Sequence, residues 1–135
     1  MKLSGTYSVS KWEESPIRPD VDGMRATRVS AEFLFAGEIE GTAHVEYLMF
    51  YTVFDEKNMH DSHAKYVGQI KIIGTAKGKS GSFALKDSGS FENGLARSEV
   101  EIIIGSGTGE LHSISGLGSY LADSSGSRWE LELEF

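Results

Sequence analysis

The sequence predicts an all-β domain, an eight-stranded antiparallel barrel, and three observations predict it. Apolar and polar residues alternate at period two in one segment after another. No window of a dozen residues carries the i, i+3, i+4, i+7 repeat of an amphipathic helix. Sixteen glycines stand against two prolines, the balance of a chain with many tight turns. The 135 residues supply one hydrophobic core, so residues 1–135 are read as a single domain. Antiparallel strands joined by short turns leave exposed edges unless the sheet closes, and a barrel closes it.

In chain order, the first strand lies near Thr6 to Trp12 and runs into a looser stretch, Glu13 to Gly23, that holds both prolines. Val29, Ala31, Phe33 and Phe35 alternate against Arg28, Ser30, Glu32 and Leu34, and Gly37-Glu38 then reads as a tight hairpin connection. A long strand follows from Thr42 to Phe54, then a second loose stretch, Asp55 to His63. Both stretches are candidate loops at a barrel mouth. Tyr66 to Ile73 is rich in β-branched residues and meets Ser82 to Phe91 through a Lys77-Gly78 turn. Ser80-Gly81-Ser82-Phe83 recurs as Ser88-Gly89-Ser90-Phe91, and the even spacing puts Phe83 and Phe91 on one face of a continuous strand. Val100, Ile102 and Ile104 mark the next strand; at most one helical turn fits at Gly109 to Ile114. A short strand near Gly118 to Ala122 precedes the clearest one, where Trp129, Leu131, Leu133 and Phe135 alternate with Arg128, Glu130, Glu132 and Glu134.

Charge and cysteine content remove whole classes of function. A formal charge of −7 disfavours nucleic acid and anionic membrane as partners, because phosphate binding needs basic charge. Zero cysteines exclude disulfides, thiolate nucleophiles and thiolate metal sites. No signal-peptide segment or membrane-spanning run stands out, and a cytoplasmic location is the expectation.

Several segments imitate active-site motifs. Gly74-Thr75-Ala76-Lys77-Gly78-Lys79-Ser80 has three residues between its glycines where a P-loop has four, and no helix follows, so it reads as a hairpin. Gly105-Ser106-Gly107-Thr108-Gly109 lacks the βαβ unit of a dinucleotide site and reads as a loop over a barrel end. His60-Asp61-Ser62-His63 lacks a distant third ligand and reads as a solvated loop, so neither metal nor cofactor is expected.

The strand from Thr42 to Phe54 is apolar on both parities. Tyr47, Met49, Tyr51 and Val53 share one face, and Leu48, Phe50 and Phe54 the other. A barrel strand has one inner face, so either parity leaves large apolar side chains outside, which predicts a homo-oligomer, with a dimer favoured. If the Leu48 parity points inward, His44 and Glu46 enter the barrel and desolvation would fit the Glu46 carboxyl for acid or base work. If it points outward, Glu46 is a polar surface residue.

Three segments carry a resemblance. Gly41-Thr42-Ala43-His44-Val45-Glu46-Tyr47-Leu48-Met49-Phe50-Tyr51, then Gly81-Ser82-Phe83-Ala84-Leu85 with Ser88-Gly89-Ser90-Phe91, then Gly105-Ser106-Gly107-Thr108-Gly109-Glu110-Leu111 with Gly116-Leu117-Gly118 look like a small bacterial family of unknown function. That family is assigned to the allene oxide cyclase-like barrel fold, and the third segment also resembles dirigent proteins. The resemblance runs from the first strand to the closing Trp129-Glu130-Leu131-Glu132-Leu133 and implies a barrel. Asp87 stands where the family often has histidine, and the cysteine that allene oxide cyclases keep near their substrate has no counterpart here. No catalytic residue is carried over.

The leading expectation is a β-barrel that binds a hydrophobic small molecule, with Tyr7, Phe33, Tyr47, Tyr51 and Trp129 as candidate lining residues. The alternatives are a cyclase or isomerase-type enzyme using Glu46, with Tyr47 or His44 nearby, and a filled structural barrel.

Overall fold

Alternation in the sequence becomes an inside and an outside. The computed structural model describes residues 1–17 and 25–135. Its strands are β1 (Lys2–Pro16), β2 (Arg25–Gly37), β3 (Ile39–Val53), β4 (His63–Ala76), β5 (Lys79–Glu92), β6 (Leu95–Ile102), β7 (Thr108–Gly109), β8 (Ser115–Asp123) and β9 (Gly126–Glu134). All pair antiparallel in the order β4-β3-β2-β1-β9-β8-β6-β5, and β4 pairs with β5 to close the ring. The eight-stranded barrel is therefore as expected, with one addition. β6 pairs with β5 only from Leu85 onward, and the two residues of β7 take the backbone that this leaves at Gly81 and Ser82. The Gly105 to Gly109 segment is thus a structural return loop.

Turn chemistry follows the sequence where it was read. Lys77 and Gly78 both have positive φ, 51° and 80°, the backbone of a two-residue hairpin between β4 and β5. Gly37-Glu38 likewise joins β2 to β3. The stretch read as a loop from Glu13 is a strand through Pro16, because Glu13 to Pro16 keep register with Ser30 to Thr27 of β2. Ile17 follows, and the rest of that stretch, residues 18–23, lies outside the described residues. Met59–Asp61 adds one 3-10 turn in the second loose stretch, and Glu110 to Ser113 form turns where a helical turn was allowed. Among the described residues no helix is long and apolar enough to cross a membrane.

Two irregularities in the rows position the site. In β1, Val9 pairs with Phe33 but Lys11 pairs with Glu32, so Ser10 is an extra residue. Such a bulge reverses the parity beyond it. Leu3, Tyr7 and Val9 share one parity before Ser10, and Trp12 and Glu14 turn to the same interior after it. The second irregularity is glycine. Tyr47, Gly68 and Asp87 form one row across β3, β4 and β5, and Tyr66, Gly89 and Ser98 form one across β4, β5 and β6. In each row the missing side chain lets the tyrosine lie across the middle strand. A Cβ at Gly68 would fall 2.7 Å from Tyr47 Cδ1, and one at Gly89 2.6 Å from Tyr66 Cζ.

The interior divides along its length. Leu3, Ile39, Ile72, Phe83, Leu111 and Leu133, all at most 1% exposed, fill the end covered by the 103–114 connection. Aromatic rings occupy the other half and leave it open.

Candidate functional site: an aromatic cavity with two carboxyls

The open half of the barrel holds a cavity of about 420 Å³, within the ordinary range for small-molecule sites. Eight of its fifteen lining residues are aromatic. Tyr7 stacks on Phe33 with centroids 4.9 Å apart and meets Tyr120 edge-on at 5.4 Å; Tyr47 packs against Tyr66 at 4.9 Å. Of the residues expected to line the interior, Tyr7, Phe33, Tyr47 and Tyr51 do so. Trp129 does not. It is buried against Phe35 and over Gly5, with its indole N–H donating to the Thr6 carbonyl at 3.0 Å, and is a core residue.

Glu46 is also elsewhere. β3 points Ala43, Val45, Tyr47, Met49 and Tyr51 inward, which puts His44, Glu46 and Leu48 outside. Glu46 Oε2 lies 2.8 Å from His44 Nε2, and both side chains are about half exposed. The carboxyl expected inside the barrel is therefore a surface group, and two other carboxyls take the interior.

Asp87 lies behind the Tyr47 and Tyr120 hydroxyls rather than on the lining itself, and is 1% exposed. The Tyr47 hydroxyl donates to its Oδ2 at 2.9 Å, the Tyr120 hydroxyl donates to the same oxygen, and the two phenols touch each other. Burial pushes the Asp87 carboxyl above its ordinary value, against the lowering by the Tyr120 and Tyr47 donors. Burial raises the phenols as well: Tyr66, bonded to Ser98, is pushed up to about 12, and Tyr47 and Tyr120 lie well above the usual tyrosine range. The phenols therefore keep their protons at neutral pH. Three oxygen contacts join Tyr47, Tyr120 and Asp87 Oδ2, but two phenols supply only two protons. Both phenol protons go to Asp87 Oδ2, and the other carboxyl oxygen, Oδ1, is buried without a hydrogen-bond partner, so a proton held on Asp87 would spare a desolvated charge there.

Glu14 stands at the mouth. Its carboxylate accepts three hydrogen bonds, from Trp12 Nε1 at 3.1 Å, Thr27 Oγ1 at 2.8 Å and the Tyr51 hydroxyl at 2.6 Å. Strands β1, β2 and β3 each contribute a donor. Met59, from the 3-10 turn, and Phe91 complete this end, so the Asp55 to His63 stretch does border the mouth. His60 and His63 do not form a metal site: no group of three or more ligand-type residues lies together among the described residues.

Sequence reasoning missed Trp12, Glu14, Tyr66, Asp87 and Tyr120. The signal for Asp87 was present, since it lies midway between Phe83 and Phe91 on their shared face. Glu14 carried none, because a bulge at Ser10 leaves no mark in the alternation.

Fold and site together define a closed antiparallel barrel with a half-open aromatic chamber. The profile of the family described as "Protein of unknown function (DUF3224)" matches residues 3–135, and the chain belongs to that family. It is similar over its full length to the crystal structure of a DUF3224-family protein of unknown function from Shewanella oneidensis MR-1. That likeness has a TM-score of 0.78 at 25% identity and covers 100% of this chain and 96% of the other. Among curated proteins nothing matches.

Proposed function

We propose that the protein is a small-molecule-binding β-barrel, allene oxide cyclase-like in plan, that receives a hydrophobic ligand in the aromatic half of its interior and works in the cytoplasm as a homodimer. The observation that carries the reading is the chamber of about 420 Å³ walled by rings. A barrel of this strand number is otherwise just wide enough for side chains to fill it. Here the packed end shows what filling looks like, and the other end departs from it. Native mass spectrometry on gently purified protein from several expression hosts tests the reading. A retained apolar compound, displaced when Phe33 or Tyr47 is changed to Ala, is the expected result. No retained compound from any host, together with no binding in a screen of apolar fluorophores, overturns it.

A second reading has its own observation. The buried Asp87 with Tyr47 and Tyr120 is a proton-holding cluster at the end of an apolar chamber, the arrangement that acid–base catalysis of an isomerisation or cyclisation uses. It replaces the reading built on Glu46. Loss of turnover in Asp87→Asn with ligand binding intact would support it; equal turnover in both proteins would end it.

A further inference from the structure

The charge carried by the chamber points to a ligand class. Every described lining residue is apolar or a neutral hydrogen-bonding group except Glu14, and among the described residues no lysine, arginine or histidine lines the space. The second carboxyl, Asp87, lies behind the Tyr47 and Tyr120 hydroxyls. Arg25, the register partner of Tyr51, places its guanidinium 4.5 Å over the ring of Phe54, and neither Arg25 nor Phe54 is part of the lining. An apolar acid would therefore bring its carboxylate to a wall whose described residues offer it no cation, beside a like charge. Desolvating an ion without a partner is strongly unfavourable.

The same wall suits a cation. Aromatic faces carry negative potential and attract ammonium groups. Trp12, half exposed at the mouth, and Tyr47 lie with ring centroids 6.4 Å apart, and the Trp12 indole is tied to the Glu14 carboxylate. Donors from three strands hold that carboxylate in place before any ligand arrives, so no side chain needs to be ordered on binding. We propose that the chamber selects an organic cation, an apolar body bearing one amine or quaternary ammonium group, with the body among the inner rings and the charged head at the mouth, beside the Glu14 carboxylate and against the Trp12 ring. This rests on the binding reading above and adds the sign of the ligand's charge to it.

Three probes that share one skeleton test it: 4-phenylbutyltrimethylammonium, 4-phenylbutan-1-ol and 4-phenylbutanoate, titrated by calorimetry into the full chain at pH 7 and low salt. The cation should bind about tenfold more tightly than the alcohol, and the acid more weakly than the alcohol. Glu14→Gln should reduce the cation-to-alcohol ratio to within about threefold, with Trp12→Leu lowering it further, in variants whose unfolding midpoints verify that they are folded. An acid that binds best, or a ratio unchanged in Glu14→Gln, overturns the proposal. If the alcohol binds and the cation has no advantage, the charge preference fails and the binding reading stands; if none of the three binds, both lose their support.

Discussion

Tyr47 and Asp87 face each other across Gly68, and the tyrosine hydroxyl passes over the glycine to reach the aspartate at 2.9 Å. The contact spans β3, β4 and β5 and needs the middle strand to have no side chain. A Cβ on residue 68 would lie 1.9 Å from the Glu46 carbonyl oxygen and 2.7 Å from Tyr47 Cδ1, too close for a backbone atom that cannot swing aside. Gly68→Ala should destabilise the fold by roughly 1–3 kcal/mol, the usual cost of overpacking a core. It should also detach Tyr47 from Asp87. Urea unfolding reads the first effect, and a midpoint equal to the parent's would show that the row is not close-packed.

Asp87 makes stability depend on pH, in a direction that can be worked out. Burial raises its folded-state value above the ordinary carboxyl value of about 4 that holds in the unfolded chain. Below that ordinary value both states carry the proton. Between the two values the folded state alone keeps it, so stability falls as pH rises through this window and levels off above the folded value. Asp87→Asn keeps the shape without the titration. The stability of the parent minus that of the variant should therefore decline as pH rises above the ordinary carboxyl value. The other carboxyls are common to both proteins and cancel in that difference. A difference that is flat or rises with pH would mean that Asp87 is ionised in the folded state at no cost.

At the mouth, Tyr51 on β3 and Glu14 on β1 are linked by a 2.6 Å hydrogen bond, with Thr27 of β2 bonded to the same carboxylate oxygen. Burial and the Glu14 partner both raise the Tyr51 phenol above its usual range, so it stays a donor at all ordinary pH values. A double-mutant cycle with Tyr51→Phe and Glu14→Gln isolates the pair. The coupling should be about 0.5–1.5 kcal/mol, below that of a fully buried charged bond because Glu14 is open to solvent. A coupling of zero would mean that water serves Glu14 as well as the phenol does.

How much of this was legible in the sequence depended on whether a feature obeys period two. The eight barrel strands, the Lys77-Gly78 hairpin and four of the five expected lining residues follow from alternation and turn chemistry, which are local. The inner face of β3 was not decided by alternation, since both of its parities are apolar, and Glu46 was consequently assignable to either side. Trp129 has the size and parity of a lining residue, and only the register that sets it over Gly5 makes it core. Trp12 and Glu14 reach the mouth through one extra residue at Ser10, and no pattern within β1 announces it. Gly68 and Gly89 read as small residues within strands; their role as gaps for Tyr47 and Tyr66 exists only once three strands are in register.

The outer parity of β3 carries the last expectation. Leu48 is the register partner of Val67 on β4, and the two are 48% and 55% exposed. Leu34 and Ile73, 47% and 59% exposed, flank Thr42 in another row of the same three strands. The polar rows Glu32-His44-Lys71 and Ser30-Glu46-Gln69 lie between these two apolar rows, and large apolar side chains exposed at both ends of one sheet face are unusual on a soluble monomer. Because β2, β3 and β4 twist together, a second copy related by a two-fold axis can lay the same rows against them, so each residue would be used once on either side. The parent should sediment as a dimer at micromolar concentration. Val67→Lys and Leu48→Lys, each placing a charge in the same apolar row, should give monomers of unchanged fold whose chamber binds as before, because neither residue points inward. A monomeric parent would remove the argument from the apolar outer parity, and a dimer that survives both lysines would place the contact on another face.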